Sequence, residues 1–233
     1  MAQEGYTHPE LLVDAEWVDG HKDDANVVIV DCDVEVGYVR GHIPGAVLVP
    51  DNYEKNPDTG RVLLMEPDQF KAMCQGLGIG DDTLVITYDN SQSLTAARLW
   101  WALNTYGHSN VKVLDGGWRR WVSEGRKISF DRPHADTSVT FTPKRDESLL
   151  VKVDELKTAC TVGDSIIWDV RSDGEWDGSN SRGNKRAGHV PGAIHLEWFN
   201  LMDRDSHRFR SAGDIRSILS ENGITPDKNV YTY

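Results

Sequence analysis

Short apolar runs bounded by acidic or turn residues alternate with amphipathic stretches through the first half of the chain. Residues 26–30 end in Val27-Val28-Ile29-Val30 before Asp31. A run that short predicts a strand covered on both faces. Residues 45–49 predict a second strand. It is entered through a His42-Ile43-Pro44-Gly45 turn, in which Pro44 fixes φ and Gly45 admits an unusual backbone. Residues 66–77 predict a helix with Pro67 in its first turn and Gly78 as its cap. Residues 83–88 predict a third strand. Residues 93–106, rich in Ala and Leu, predict a long helix ended by Gly107. Residues 111–114 predict a fourth strand, after which Gly116-Gly117 turns into a short helix over 118–123. Strands alternating with helices predict an α/β fold with a parallel sheet flanked by helices.

The pattern occurs twice. Gly41-His42-Ile43-Pro44-Gly45-Ala46-Val47 returns as Gly188-His189-Val190-Pro191-Gly192-Ala193-Ile194, an offset of 147. Val28-Ile29-Val30-Asp31 returns as Ile166-Ile167-Trp168-Asp169, and Leu11-Leu12-Val13 as Leu149-Leu150-Val151, both at an offset of 138. Gly78-Ile79 matches Gly223-Ile224, and Thr87-Tyr88 matches Thr232-Tyr233, at 145. Ordered blocks at a nearly constant offset predict two homologous domains. The second copy gains 9 residues around 179–187. The expected division is a first domain over 1–130, a polar linker over 131–148 and a second domain over 149–233. The counterpart of Asp89 would follow Tyr233, so the second domain is expected to be incomplete, with apolar surface exposed and low stability.

Composition narrows the function. The 233 residues carry 25 Lys or Arg against 37 Asp or Glu, a formal charge of −12. Neither nucleic acid nor an anionic membrane is expected as the main partner. No apolar run approaches the ~18 residues of a membrane span. The first ten residues show no secretory pattern, and three cysteines make no disulfide framework, so a cytoplasmic setting is expected.

In parallel sheets, sites form at the carboxyl ends of strands. The strand ending at Tyr88 feeds a loop, Asp89 to Ser93, and then a helix N-terminus, where backbone N–H groups favour an anion. A cysteine at the first loop position would be a stabilised thiolate. Asp89 occupies it instead, which reads as a filled, non-catalytic cradle, a degenerate site. Arg171 follows the strand end at Asp169 and could clamp anionic oxygens, or else form an ion pair with Asp173 or Glu175. The inserted Arg182, Lys185 and Arg186 form a basic cluster, with Arg186 the best placed to assist, or else a solvated loop. His42 and His189 recur at one position and read as organisers of the turn rather than metal ligands; no metal and no cofactor is expected. Cys32, Cys74 and Cys160 read as ordinary buried or half-buried thiols, with Cys32 near a surface. Trp100, Trp101, Trp118 and Trp121 read as packing residues.

These motifs resemble the rhodanese superfamily, specifically its two-domain thiosulfate and 3-mercaptopyruvate sulfurtransferases. Val30-Asp31-Cys32-Asp33, the two Gly-His-x-Pro-Gly-Ala turns, the segment from Tyr106-Gly107-His108 to Gly116-Gly117-Trp118, and Asp169-Val170-Arg171 carry the resemblance. It implies that a thiolate takes the outer sulfur of an anionic donor, forms a persulfide and passes the sulfur to cyanide or a thiol. Arg171 matches a donor-binding arginine of the family, and Asp89 a residue of its inactive first domains. The family's cysteine would follow Tyr233, so the chain as it stands is expected to be inactive by this route. No histidine lies between Val47 and Phe70, which favours thiosulfate over 3-mercaptopyruvate. The alternative is a non-catalytic module binding anions or proteins.

Overall fold

The computed structural model describes residues 5–51, 53 and 64–233. The chain divides into two compact units. One holds residues 7–147 and 204–208, the other residues 5–6, 148–203 and 209–233.

The first unit is a parallel five-stranded sheet. Its strands are β1 (Leu12–Val13), β2 (Val27–Asp31), β3 (Val47–Leu48), β4 (Leu84–Tyr88) and β5 (Val111–Leu114), in the order β1-β5-β4-β2-β3. The helices between them are α1 (Ala15–His21), α2 (Glu35–Tyr38), α3 (Pro67–Gly76), α4 (Leu94–Thr105) and α5 (Gly117–Ser123). Asp14 caps α1 by accepting from Trp17 N, and Glu66 and Gln69 close a capping box on α3. Apolar positions of β2 and β4 face a core of Val13, Val18, Ile29, Ile43, Ile86, Leu114 and Trp121. Register aligns Asp31 with Tyr88, so both strands end together at one edge of the sheet.

One strand is shorter than the sequence predicts. The second strand spans only Val47–Leu48, not 45–49, because Gly45 takes φ +83° and is still part of the turn. Residues 131–147 of the polar segment pack with the first unit. Phe141 is fully buried, edge-on to Phe70 at 5.8 Å. Lys144 N donates to Tyr106 O at 2.8 Å. A Cβ at Gly107 would come within 3.0 Å of Lys144 O, so glycine serves both the end of α4 and this close passage.

The second unit repeats the frame. Its strands β6 (Ser165–Asp169), β7 (Ile194–His195) and β8 (Asn229–Thr232) form a parallel sheet in the order β7-β6-β8. Its helices are α6 (Val153–Val162), α7 (Asp173–Trp176) and α8 (Ala212–Glu221), the last capped by Ser211 accepting from Asp214 N. Ile166, Leu196 and Ile224 centre its core, with Trp168, Ile194, Ile218 and Leu219 packed around them. Leu149, Val151, Val153, Val162 and Val230 are exposed. No described helix is long and apolar enough to cross a membrane.

Candidate functional site

In the first unit the loop after β4 closes on a carboxylate. Asp89 is 1% exposed. Its Oδ1 accepts from Ser91 N at 3.0 Å and Ser93 N at 2.8 Å. Its Oδ2 accepts from Thr95 N at 2.8 Å, Thr95 Oγ1 at 2.9 Å and Ala96 N at 2.9 Å. The last donors belong to the first turn of α4, whose N-terminus favours negative charge. Gln92 and Ser93 reach this arrangement with φ of 59° and 68°, a left-handed conformation unusual for both residues. The loop is also clasped from outside. Trp118 N donates to Asp89 O at 2.8 Å, and a Cβ at Gly117 would lie 2.2 Å from that oxygen, so this approach requires glycine.

The surroundings of Asp89 are acidic. Tyr88 donates its hydroxyl to Asp31 Oδ2 at 2.5 Å and accepts from Ile43 N at 3.2 Å. Burial raises the Asp31 carboxyl. Asp33 accepts from Asn90 N at 3.2 Å, yet burial, with Asp31 next, pushes it up to about 6. Cys32 lies buried among these carboxylates rather than near a surface; burial and then Asp89 drive its thiol far up. A reactive thiolate needs the opposite surroundings.

Asp33 yields a stability prediction. Its folded pKa is raised, so its contribution is fully present below the unfolded value of about 4 and is lost as pH rises through about 6. Asp33→Asn keeps the acceptor for Asn90 but cannot ionise. It is expected to stabilise the unit by about 1–2 kcal/mol at about pH 7.5, and by nothing measurable at about pH 3.5. Amide exchange of β2 and β4 in the full chain measures this; an equal effect at both pH values would refute the assignment.

The second unit keeps the frame and reverses the charge. Arg171 stands where the repeat offset puts Asp33. Its Nε and Nη2 grip Asp169 Oδ1 and Oδ2 at 2.9 and 2.5 Å, and Nη2 also donates to Gly188 O at 3.0 Å. The Tyr233 ring lies against the guanidinium, 4.9 Å from its carbon. The Arg171 side chain stays 28% exposed while Asp169 is wholly buried. Burial pushes the Asp169 carboxyl up, but the hydrogen bonds from Arg171 outweigh it and hold Asp169 below the usual range. Neither Asp173 nor Glu175 is the partner of Arg171. Asp173 faces His195 at 3.7 Å, and Glu175 pairs with Arg182 at 3.1 Å. Asp169 and Arg171 are two residues apart at a strand end, and on an extended backbone such side chains share a side. Arg186 and Lys185 are exposed and have no partner among the described residues.

Both histidines of the repeated turn stack on an aromatic ring. His42 lies 3.8 Å from Tyr38, with Nδ1 3.0 Å from Tyr38 O. His189 lies 3.5 Å from Trp176, with Nδ1 2.9 Å from Trp176 O. His42 is buried and His189 exposed. Cys74 is buried, and burial raises its thiol. Cys160 is not even half-buried: it is exposed on α6. Trp121 is fully buried, and Trp118 packs against the same core.

Two residues escaped the sequence reading. Tyr233 repeats the role of Tyr88: Val190 N donates to its hydroxyl at 2.8 Å, as Ile43 N does to Tyr88. The Thr-Tyr match at the ends of the two copies was the available signal. His195 donates from Nε2 to Arg171 O at 3.0 Å. Its counterpart in the first copy is Leu48, so only a comparison of the copies against each other would have exposed it.

Two parallel α/β sheets, each carrying the same turn and the same strand-end Asp–Tyr hydrogen bond, define a tandem-domain α/β protein. The chain belongs to the rhodanese-like domain family, whose profile matches residues 14–124 and 152–233. It is 33% identical to the sulfur carrier protein TtuD of Thermus thermophilus over 98% of this chain and 84% of that protein. It is 31% identical to a putative thiosulfate sulfurtransferase SseA of Mycobacterium tuberculosis over 98% of this chain and 78% of the relative. Among solved structures it resembles SseA of Escherichia coli, described as a 3-mercaptopyruvate sulfotransferase. The TM-score is 0.85 at 25% identity, over 95% of this chain and 87% of the other.

Proposed function

We propose that the chain is the body of a sulfurtransferase that moves a sulfane sulfur from thiosulfate, or 3-mercaptopyruvate, to cyanide or a thiol. In this reading residues 1–130 are a non-catalytic domain, 131–148 a connection and 149–233 the catalytic-type domain, working in a cytoplasmic setting. Arg171 meets the anionic donor with the part of its guanidinium not committed to Asp169, and Arg186 adds positive charge. Asp89 keeps the first-domain cradle filled.

The observation that carries the reading is the correspondence of Tyr233 with Tyr88. The two hydroxyls accept from the same turn position, and Trp168 pairs with Thr232 as Val30 pairs with Thr87. In this reading the position after Tyr233 would be the counterpart of Asp89, and a loop like that of the first copy would favour an anion there. A thiolate there would attack the outer sulfur of thiosulfate. The S–S bond breaks, sulfite leaves with the electron pair, and a persulfide remains. Cyanide carbon then attacks the terminal sulfur, thiocyanate leaves, and the thiolate returns. No external oxidant or reductant is consumed.

Cys32 and Cys74 are buried with raised thiols, and Cys160 sits on α6, so residues 1–233 by themselves are expected to form no thiocyanate. The full native protein, treated with thiosulfate and digested, is expected to gain one sulfur atom on a cysteine in the peptide that follows Tyr233. Sulfur found on Cys32, Cys74 or Cys160, or on no cysteine, would overturn the proposal.

A further inference from the structure

We propose that His195 is a positioning residue for Arg171, setting where its guanidinium meets the anionic donor; this rests on the donor-binding role proposed above. The Arg171 main chain is held at both ends. Its N–H donates to Asp169 Oδ1 at 3.0 Å, and its carbonyl accepts from His195 Nε2 at 3.0 Å. That second bond fixes the proton on Nε2 and leaves Nδ1 facing Asp173 at 3.7 Å.

The ring is itself fixed. It lies 4.8 Å from Trp176 with 6° between the planes, and Trp176 also stacks on His189 at 3.5 Å. The chain of contacts runs from the turn histidine through Trp176 and His195 to the Arg171 backbone. The His195 side chain is only 17% exposed, so the ring has little freedom to turn away.

The two copies supply an internal control. The Tyr38–His42 stack of the first copy matches the Trp176–His189 stack of the second, so the stack by itself belongs to the fold. His195 and Arg171 exist only in the second copy, where the first has Leu48 and Asp33. The carbonyl-holding imidazole therefore accompanies the arginine and not the shared frame. Clamping an anion depends on placing a planar guanidinium correctly, and small displacements weaken it.

The test uses the full native protein, with thiosulfate as donor and cyanide as acceptor. Two variants separate the hydrogen bond from the ring. His195→Phe keeps a ring for Trp176 and removes the donor. His195→Gln keeps a donor and removes the ring. His195→Phe is expected to raise KM for thiosulfate about 5–10-fold with kcat within about twofold, while His195→Gln keeps KM within about twofold of the parent. In an Arg171→Gln background, His195→Phe is expected to change KM less than about twofold, because the two residues act as one unit. A parent-like KM in His195→Phe would overturn the inference while leaving the sulfurtransferase reading intact. So would equal losses in both variants, or additive losses with Arg171→Gln. A parent protein without turnover would overturn both. If His195→Phe does not fold, the His195→Gln measurement decides: a KM raised about fivefold or more refutes the role of the N–H.

Discussion

Asp89→Ala is expected to destabilise the first domain by about 3–5 kcal/mol, as large a loss as a single side chain commonly causes. The reason is the number of donors that converge on one buried carboxylate. Three backbone N–H groups and the Thr95 hydroxyl lie within 2.9 Å of its oxygens, and Ser91 N lies at 3.0 Å. Each buried donor left unpaired costs about 1–3 kcal/mol, reduced here because the loop relaxes and water enters the space of the carboxylate. The loss is compounded by backbone. Gln92 and Ser93 sit at positive φ, about 1 kcal/mol or more each, and the carboxylate is what holds them there. Asp89→Asn is expected to fall between the parent and Asp89→Ala, since whichever oxygen becomes NH2 then faces donors. Urea unfolding of the full chain, with amide exchange of α4 to assign the loss to this domain, measures it. A loss below about 1 kcal/mol for Asp89→Ala would mean that the loop holds its shape without the carboxylate.

A strand followed by a short polar loop and an Ala- and Leu-rich helix located Asp89 from residue types alone, because β4 opens on the apolar run Leu84-Val85-Ile86 and ends at Tyr88, directly before it. The two-residue strands β1, β3 and β7 carry no period to read. They exist because β5, β2 and β6 offer them a paired edge. The same distinction separates the parts of the site. Asp169-Val170-Arg171 is local, and the period-two geometry of a strand end accounts for the ion pair once the strand boundary is known. The stack of Trp176 between His189 and His195 joins α7, the turn and β7, and no local pattern announces it. The reversal of charge between the copies, Asp33 against Arg171, was visible in the aligned repeat. Its consequence appears only where the side chains are placed: the first copy gathers carboxylates that help drive Cys32 and Asp33 up, and the second sets one guanidinium, Arg171, on one buried carboxylate.

Arg171→Gln is expected to lower kcat/KM for an anionic sulfur donor about 100–1,000-fold, roughly 2.7–4 kcal/mol of lost transition-state stabilisation. The substitution also strands Asp169. That carboxylate is wholly buried, and Arg171 supplies two side-chain hydrogen bonds and one from its backbone. A folding loss of up to about 3 kcal/mol therefore accompanies the kinetic one, since a buried charge without its partner is costly. The two effects separate in a double variant. Arg171→Gln with Asp169→Asn removes the pair together, so no buried charge is left unpaired, and most of the stability is expected to return. Turnover is not expected to return with it, because the donor still meets no guanidinium. Arg171→Lys sharpens the contrast: it keeps the charge but cannot hold both Asp169 oxygens and a donor anion at once. It is expected to lose about 10–100-fold in kcat/KM. Activity that recovered together with stability in the double variant would show that Arg171 serves Asp169 and the fold alone. The anionic donor would then have to be met elsewhere, with the exposed Lys185 and Arg186 the next residues to substitute.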